Sequence, residues 1–296
     1  MRRMAKGNWG KIHRPAHSAT WNVVLMLAML VPGCTGGRGA EAAEFDKVAI
    51  PLLDQGKPDS ADTAVEGYLF KAAGTGPFPA IILMHGCDGM EWERRQATWQ
   101  LLKGYAERYV THGYVALVLD SFAPRHVTNI CGNGSIVSPQ RRAWDAYSAA
   151  SFLVSLGYVD RQRLVLQGDS HGGWTTLVAL QKGEWHAPEH FAAGIAWYPY
   201  CLDSTGFVTP VLILIGEADD WTSADRCKRL VERLRNQPGT LPIVLRAFPG
   251  ATHAYDYPFP PRVNAQGHHM AYDPGATNES WQAIDTFLNR YIGAAR

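Results

Sequence analysis

The sequence predicts an α/β fold in which helices cover both faces of a mostly parallel sheet. Six short runs are mostly apolar and rich in β-branched residues, as in strands that are buried on both faces. Segments of helical period separate these runs, and this alternation favours a parallel sheet with crossovers of one hand. The six predicted strands are Phe78–Met84, Tyr114–Leu119, Leu164–Gln167, Gly194–Tyr198, Val211–Ile215 and Ile243–Ala247.

The segments between these runs repeat apolar side chains at steps of three and four residues, which is typical of amphipathic helices. Ser138-Pro139 and Thr222-Ser223 are residue types that begin helices, so we expect helix starts at both places. The apolar helical positions are Trp99, Leu102, Ala106 and Tyr109, then Ala143, Tyr147, Ala150 and Val154, then Cys227, Leu230 and Leu234, and finally Trp281, Ile284, Leu288 and Tyr291.

The composition is that of a folded protein. The 296 residues are 46% hydrophobic and 19% charged, and no linker or repeat divides residues 43–296, so we expect one domain there. That part has 22 basic and 26 acidic residues and no basic stripe, which disfavours nucleic acid and favours a small-molecule substrate. Ser121–Val137 and Ala251–Ala276 are long and irregular, which is typical of functional or mobile loops.

Residues 1–42 predict an export signal and are excluded from the fold. Basic residues without any acid precede Val23–Val31, an apolar run that is too short to span a membrane. Ala40-Glu41-Ala42 resembles a cleavage site, whereas Val31-Pro32-Gly33-Cys34 resembles a lipoprotein box whose cysteine carries lipid. Cleavage after Ala42 and lipidation of Cys34 are both kept as alternatives, together with a disordered extension. We therefore expect a periplasmic or secreted protein, with a lipid anchor at Cys34 as the alternative form.

Export decides how the remaining four cysteines are interpreted, because oxidising compartments permit disulfides. Cys201 and Cys227 each follow a predicted strand in one half of the sheet, and Cys87 and Cys131 follow two strands of the other half. We therefore predict the disulfides Cys87–Cys131 and Cys201–Cys227. Four buried free thiols are the alternative.

The pentapeptide Gly168-Asp169-Ser170-His171-Gly172 matches the G-x-S-x-G pattern of serine hydrolases. The pentapeptide alone proves little, but it follows the predicted strand Arg163–Gln167 and precedes the helical run Trp174–Leu180. A strand, a sharp glycine-flanked turn and a helix expose a serine hydroxyl above a sheet. Ser170 is therefore the predicted nucleophile.

A serine hydroxyl needs an imidazole to accept its proton and a carboxylate to orient that imidazole. Asp219 and Asp220 follow one predicted strand and His253 follows the next, so all of them lie at carboxyl ends of strands. We predict His253 as the base and Asp219 as the orienting acid. Asp220 is the weaker candidate, because adjacent side chains point apart and the usual G-x-x-D spacing selects Asp219. For both acids, capping of the following helix is the alternative role.

Acyl transfer also needs N–H donors for the oxyanion of the tetrahedral intermediate. The backbone N–H of His171, directly after Ser170, is the first predicted donor. The second is the N–H of Cys87, in the glycine-bearing turn that follows the strand ending at Met84. A simple tight turn is the alternative interpretation of that segment.

The pocket walls are expected from the same strand ends. Arg125 is predicted to meet an anionic group of the substrate, whereas core packing is the alternative for every aromatic candidate. His268 and His269 lack the spacing of metal ligands, so neither a metal nor another cofactor is expected. The aromatic substrate contacts predicted are Trp174, Tyr198, Tyr200 and Trp221.

Several ordered blocks resemble the dienelactone hydrolase family of α/β-hydrolases, especially its exported bacterial members, over about residues 45–293. The resemblance implies the α/β-hydrolase fold and hydrolysis of a small ester or lactone, with Ser170, His253 and Asp219 in the catalytic roles and no required cofactor. The blocks are LMHGCDG near residue 85, DSF at 120–122, RRAWDAYSA at 141–149, GDSHGG at 168–173, WYPYC at 197–201, GEADDWTSADRC at 216–227 and THAYD at 252–256.

This chain departs from the type enzymes of that family, which have a cysteine nucleophile and a glutamate after the histidine of the first block. Here Ser170 and Gly86 stand at those positions. The departures favour serine-esterase chemistry and disfavour dienelactone itself as substrate. The alternatives are an exopeptidase or acyl-amide hydrolase that uses the same residues, and a secreted binding domain without activity.

Overall fold

The computed structural model describes residues 44–53, 62–90, 96–183, 185–235, 237–239 and 241–294. The predicted leader, with both cleavage sites and Cys34, lies outside the described residues. Among the residues that are described, no helix is long and apolar enough to cross a membrane.

An eight-stranded sheet organises the domain, in the spatial order β1-β2-β4-β3-β5-β6-β7-β8. The first two strands pair antiparallel, β2 also pairs antiparallel with β4, and all later neighbours are parallel. The mostly parallel sheet is therefore confirmed. The strands are β1 (Phe45–Pro51), β2 (Ala64–Phe70), β3 (Phe78–Met84), β4 (Val115–Asp120), β5 (Val159–Asp169), β6 (Ala193–Trp197), β7 (Val211–Gly216) and β8 (Ile243–Phe248).

Four helices follow the four predicted periods, and a fifth corresponds to the predicted helical run Trp174–Leu180. The helices are α1 (Gln96–Thr111), α2 (Pro139–Ser155), α3 (His171–Ala179), α4 (Ala224–Arg235) and α5 (Pro274–Tyr291). The helix start at Ser138 is confirmed, because its hydroxyl accepts a hydrogen bond from the backbone N–H of Arg141 and proline follows it. The same arrangement begins α5, where Asp273 accepts from the N–H of Ala276. Both are N-caps that satisfy free N–H groups of the first turn.

The helices cover both faces of the sheet, as predicted. Successive residues of a strand face opposite sides, and in β6 the Cα of Gly194 faces Leu180 after α3, whereas Trp197 packs against Tyr105 of α1 and Trp281 of α5. The strands β3, β4, β6 and β7 are buried at every residue, whereas β8, at the edge of the sheet, is mostly half-buried. All parallel strands end at one edge, where their connecting loops meet.

Both predicted disulfides are confirmed, and the alternative of four free thiols is wrong. Cys87, after β3, is bonded to Cys131, and Cys201, after β6, is bonded to Cys227 in α4. The first bond ties the turn after β3 to the long connection between β4 and α2. The long segment after β8 contains a small hairpin, β9 (Arg262–Val263) and β10 (His269–Met270).

Candidate active site

Ser170 lies on a sharp turn between β5 and α3. Its backbone has φ 52° and ψ −112°, a conformation that few residues other than glycine adopt. The flanking glycines permit the turn, because a Cβ on Gly168 would lie 2.3 Å from the carbonyl of Gly172, and one on Gly172 would lie 2.3 Å from the carbonyl oxygen of Met84. The strain and the close contacts hold the serine hydroxyl above the end of the sheet.

Two further side chains complete a chain of hydrogen bonds that begins at this hydroxyl. His253 Nε2 lies 3.0 Å from Ser170 Oγ, and His253 Nδ1 lies 2.8 Å from Asp219 Oδ2. The imidazole is 2% exposed and Asp219 is 5% exposed. Residues that are 49 and 83 positions from Ser170 thus meet at the carboxyl ends of β5, β7 and β8.

Asp219 is held as an ionised carboxylate. Burial by itself raises its pKa, but His253 and the hydrogen bonds of Thr222 outweigh that effect and lower the pKa below its ordinary value. Oδ1 accepts from the N–H groups of Trp221 and Thr222 at 2.9 and 2.7 Å, and Oδ2 accepts from the Thr222 hydroxyl at 2.8 Å. Asp219 therefore contacts the backbone before α4 and the imidazole at the same time.

Asp220 points elsewhere, as expected for the neighbour of Asp219. Its Oδ2 lies 2.8 Å from His269 Nδ1, and its Oδ1 lies 3.3 Å from His268 Nδ1. These contacts tie the turn after β7 to the β9–β10 hairpin. Within the described residues, no group of three or more histidine, cysteine or acidic side chains forms a metal site.

A cavity of about 350 Å³ opens beside Ser170. Of the predicted aromatic contacts, Tyr198 and Trp221 line it, whereas Trp174 and Tyr200 do not. Trp174 lies one helical turn after Ser170, and its ring packs instead on the rings of His171 and Tyr200. The further lining side chains include Asp88, Asn129, Cys131, Tyr257, Phe259, Arg262, Val263, Asn264, Gln266 and Met270.

The predicted contact of Arg125 with an anionic substrate is wrong in this arrangement, because Arg125 does not line the cavity. Its guanidinium binds both oxygens of Asp145, at 2.7 and 2.8 Å, and also Asp62 at 2.7 Å. Asp145 is fully buried, and a buried carboxylate needs a cation and hydrogen bonds in place of water. Arg125 therefore compensates the charge of a buried carboxylate inside the domain.

The predicted oxyanion donors lie on two elements that meet beside Ser170. Gly86 and Cys87 line the cavity, and a Cβ on Gly86 would lie 3.6 Å from the Cβ of Ser170. His171 is the first residue of α3, where backbone N–H groups have no helical partner. The His171 side chain turns away from the cavity, with Nδ1 2.8 Å from Arg142 and Nε2 2.9 Å from the carbonyl oxygen of Gly134.

A buried acidic cluster behind His253 was not predicted. Asp256 accepts hydrogen bonds from the hydroxyls of Tyr105 and Tyr198, the latter at 2.7 Å, and burial raises its pKa to about 6. Asp169 is also buried, and burial together with the charge of Asp256 raises its pKa. Both acids lie inside blocks that were matched by resemblance, but no local spacing distinguishes a buried carboxylate from a surface one.

Comparisons with known proteins place the chain in a family. The sequence model of the dienelactone hydrolase family matches residues 65–292. A relative described as the quorum-quenching protein AidA, from Acinetobacter baumannii, is 30% identical over 126 residues, which are 40% of this chain and only 36% of that relative.

Two solved structures share the fold at low identity. A dienelactone hydrolase-like promiscuous phosphotriesterase from metagenomic libraries has a TM-score of 0.64 and 18% identity, and the match covers 83% of this chain and 98% of that one. Esterase 2 of Thermogutta terrifontis, phosphoramylated by tabun, has a TM-score of 0.61 and 17% identity, with 86% and 98% covered. Identities this low show likeness of fold alone.

Proposed function

Because the chain belongs to the dienelactone hydrolase family, we propose that it is a serine hydrolase that cleaves a small carboxylic ester or lactone through an acyl-enzyme intermediate. The observation that carries the proposal is the hydrogen-bonded series Ser170, His253 and Asp219 at the mouth of a cavity. A hydroxyl, an imidazole and an ionised carboxylate in that order are the groups that acyl transfer requires.

Acylation begins when His253 Nε2 accepts the proton of Ser170 Oγ and Oγ bonds to the carbonyl carbon of the substrate. The hydrogen bond from Nδ1 to Asp219 fixes the tautomer, so that the lone pair of Nε2 faces the serine. The tetrahedral intermediate then collapses, the bond to the alcohol oxygen breaks, and this leaving group takes the proton from His253.

Deacylation repeats these steps with water. His253 Nε2 accepts a proton from a water molecule whose oxygen bonds to the acyl carbon, and the second intermediate collapses with Ser170 Oγ as the leaving group. The proton returns from His253 to Oγ, which restores the enzyme and releases the carboxylic acid. In acylation and in deacylation, the backbone N–H groups of Cys87 and His171 are the proposed donors to the oxyanion.

The cavity supports a small substrate. About 350 Å³ is at the lower end of ligand sites, and the lining includes four aromatic side chains, Tyr198, Trp221, Tyr257 and Phe259. We infer that rings such as Tyr198, Trp221 and Phe259 contact an apolar acyl or alcohol group. The description of one relative as a quorum-quenching protein supports the inclusion of lactones in a substrate panel.

Amide hydrolysis by the same residues is the second candidate. A panel of p-nitrophenyl esters and aminoacyl anilides separates the two, because an exopeptidase turns over the anilides at rates comparable with the esters. A binding domain without activity fits poorly with an ionised Asp219 and an imidazole within hydrogen-bonding distance of an accessible cavity serine.

We also propose that the protein is exported to the periplasm or beyond. The two disulfides support this proposal, because such bonds persist in oxidising compartments and are rare in the cytosol. Cell fractionation with mass spectrometry of the mature N-terminus tests it and distinguishes cleavage after Ala42 from lipidation of Cys34.

The decisive test of the function combines Ser170→Ala with fluorophosphonate labelling. We expect labelling of Ser170 in the wild type, no labelling and no ester turnover in the variant, and nearly unchanged thermal stability, because alanine fits the same backbone. Ser135→Ala, at an exposed serine, is the matched control and is expected to behave as wild type. Turnover by Ser170→Ala near the wild-type rate refutes the assignment.

A further inference from the structure

Arg142, near the start of α2, is a fully buried cation beside the candidate active site. The residue is 0% exposed, and its guanidinium lies 5.0 Å from the centre of the Phe122 ring. Burial lowers its pKa to about 10, which still leaves the side chain protonated at neutral pH. A buried charge is costly unless hydrogen bonds replace its hydration, so the positions of its acceptors are informative.

The guanidinium reaches two acceptors on different elements. One terminal nitrogen donates to the main-chain oxygen of His85 at 2.7 Å, and the other donates to His171 Nδ1 at 2.8 Å. His171 must then carry its proton on Nε2, which donates to the carbonyl oxygen of Gly134. Burial, reinforced by the charge of Arg142, lowers the pKa of His171 to about 3, so this imidazole is neutral and serves as an acceptor.

Both acceptors belong to the elements that carry the proposed oxyanion donors. His85 precedes Cys87 by two residues, and His171 carries the other N–H itself. Helix α3 also packs directly on the end of β3, since a Cβ on Gly172 would lie 2.7 Å from the His85 oxygen. Arg142 therefore sits at the junction of the turn after β3 and the start of α3.

We propose that Arg142 is the positioning residue of the oxyanion hole. Its planar guanidinium holds the His85–Cys87 turn and the start of α3 at the separation at which two N–H groups meet one oxygen. The rigid fork of an arginine suits this task, because its donors keep a fixed spacing that the single ammonium of lysine lacks. The inference rests on the proposed function and assigns to Arg142 no contact with the substrate.

Loss of this link acts on the transition state, because the oxyanion exists only there. We expect Arg142→Met to lower kcat about 10- to 100-fold, which is less than the loss of a whole donor, and to leave KM within about twofold. Arg142→Lys keeps the charge but reaches one acceptor at a time, so its kcat is expected between those of the wild type and Arg142→Met.

A thionoester gives a readout that a merely structural role does not move. Sulfur in place of the carbonyl oxygen is a poorer acceptor for the two N–H groups, so an intact oxyanion hole favours an ester over its thionoester analogue. We expect the ester-to-thionoester ratio of kcat/KM to fall in Arg142→Met by about the factor lost in kcat, and to recover partly in Arg142→Lys.

Arg141→Met is the matched control, because Arg141 precedes Arg142 in the same helix and binds Asp62. Its ratio is expected to equal that of the wild type. Rates are normalised to protein that retains native thermal unfolding. If Arg142→Met does not fold, His171→Leu is used instead, because it removes the acceptor Nδ1 that Arg142 binds. The ester-to-thionoester ratio of kcat/KM is then measured on that variant.

The outcomes separate the two proposals. A wild type that turns over no ester contradicts the proposed function. An active wild type whose ester-to-thionoester ratio is unchanged in the folded variants overturns the role of Arg142 alone, and so does a uniform loss of both activities. A selective loss of ester turnover supports it.

Discussion

The two sides of the candidate pocket are built in different ways. On one side, the turn after β3 is bonded through Cys87 to Cys131, and the carbonyl oxygen of Cys87 accepts from the N–H of Ile130 at 2.8 Å. Ile130 is 1% exposed and lies in a small apolar cluster with Phe122. We call this side, residues 85–88 and 129–131, the cross-linked wall.

The opposite side is the β9–β10 hairpin, residues 262–270, which we call the hairpin wall. Each of its strands has two residues, and Val263 is 58% exposed. It is attached by polar contacts of Asp220 with His268 and His269, and by a backbone bridge from Met270 to His253.

The difference follows the chemistry that each wall faces. In the proposed mechanism, negative charge develops beside the cross-linked wall, and electrostatic stabilisation requires donors that do not have to reorganise during the reaction. The hairpin wall meets the remainder of the substrate, where contacts affect binding more than charge stabilisation. We infer that changes in the first wall lower kcat and that changes in the second raise KM.

The largest effect is expected between the walls, at the pair of adjacent acids. Asp219→Asn removes the acceptor that fixes the tautomer of His253, and the Asp-to-Asn change in the Ser-His-Asp triad of a serine protease lowers kcat about 10⁴-fold. Asp220→Asn is the matched control, with kcat expected within about twofold of wild type, since Asp220 contacts only the hairpin wall in the described residues. Steady-state kinetics of one ester measure both. Equal losses of kcat in the two variants contradict the assignment of Asp219 as the acid that orients His253.

The lowered pKa of Asp219 adds an expectation for stability. A carboxylate whose pKa is lower in the folded than in the unfolded chain stabilises the fold above its ordinary pKa near 3.8. That contribution is lost as the pH falls through the folded value. The difference in melting temperature between wild type and Asp219→Asn is therefore expected to be present at pH 6 to 7 and to shrink below pH 4, as measured by thermal unfolding.

Most strands that organise this site were predictable because parallel strands buried on both faces, such as β3, β4, β6 and β7, are almost wholly apolar. β1 and β2 were missed: β1 is mostly exposed and carries Asp46 and Lys47, and β2 alternates between half-buried and buried residues. β5 is longer than predicted, because it begins at Val159 in a polar stretch. The strands β1 and β2, at one edge of the sheet, therefore lack the continuous apolar signal.

The three central site residues were predictable from their places after strands, because parallel strand ends meet at one edge. The long-range partners of side chains could not be predicted from the sequence. The contact of Arg125 with Asp62 spans 63 positions, and nothing in the local sequence indicates that this cation is already bound. Arg142 was missed for the same reason, since its acceptors are a distant main-chain oxygen and the side chain of His171.

The next largest effect is expected from the disulfide of the cross-linked wall. The double variant Cys87→Ser with Cys131→Ser releases the turn that carries a proposed donor, so kcat is expected to fall about 10- to 100-fold. The variant Cys201→Ser with Cys227→Ser is the matched control, because neither cysteine lines the cavity.

The two disulfides have similar predicted contributions to stability, which separates stability from catalysis. They close segments of 44 and 26 residues, and the chain-entropy model gives about 4 and about 3.5 kcal/mol respectively. Thermal unfolding and kcat are measured on both variants below their melting temperatures. Similar losses of kcat in the two variants would count against a special role of the cross-linked wall.

A smaller effect is expected at the hairpin wall. Asp220→Ala removes its hydrogen bonds to His269 and the contact with His268, each of which is worth about 1 kcal/mol net. We expect KM to rise about three- to tenfold, with kcat within about twofold of wild type. Glu217→Ala is the control, because Glu217 lies in the same turn and binds Lys228. A fall in kcat at constant KM contradicts the division between the walls.

The smallest effect on turnover is expected at Arg125, which the sequence predicts as an anion contact and the structure places away from both walls. Arg125→Met is expected to change KM by no more than about twofold for a neutral ester and for its carboxylate-bearing analogue alike. Stability responds instead, because removal of one partner leaves Asp145 buried and unpaired, at a cost of about 3–5 kcal/mol. Arg125→Lys, which keeps the charge, is expected to recover part of that loss. A rise in KM confined to the anionic ester would restore Arg125 as a substrate contact and would require movement of the segment that holds it.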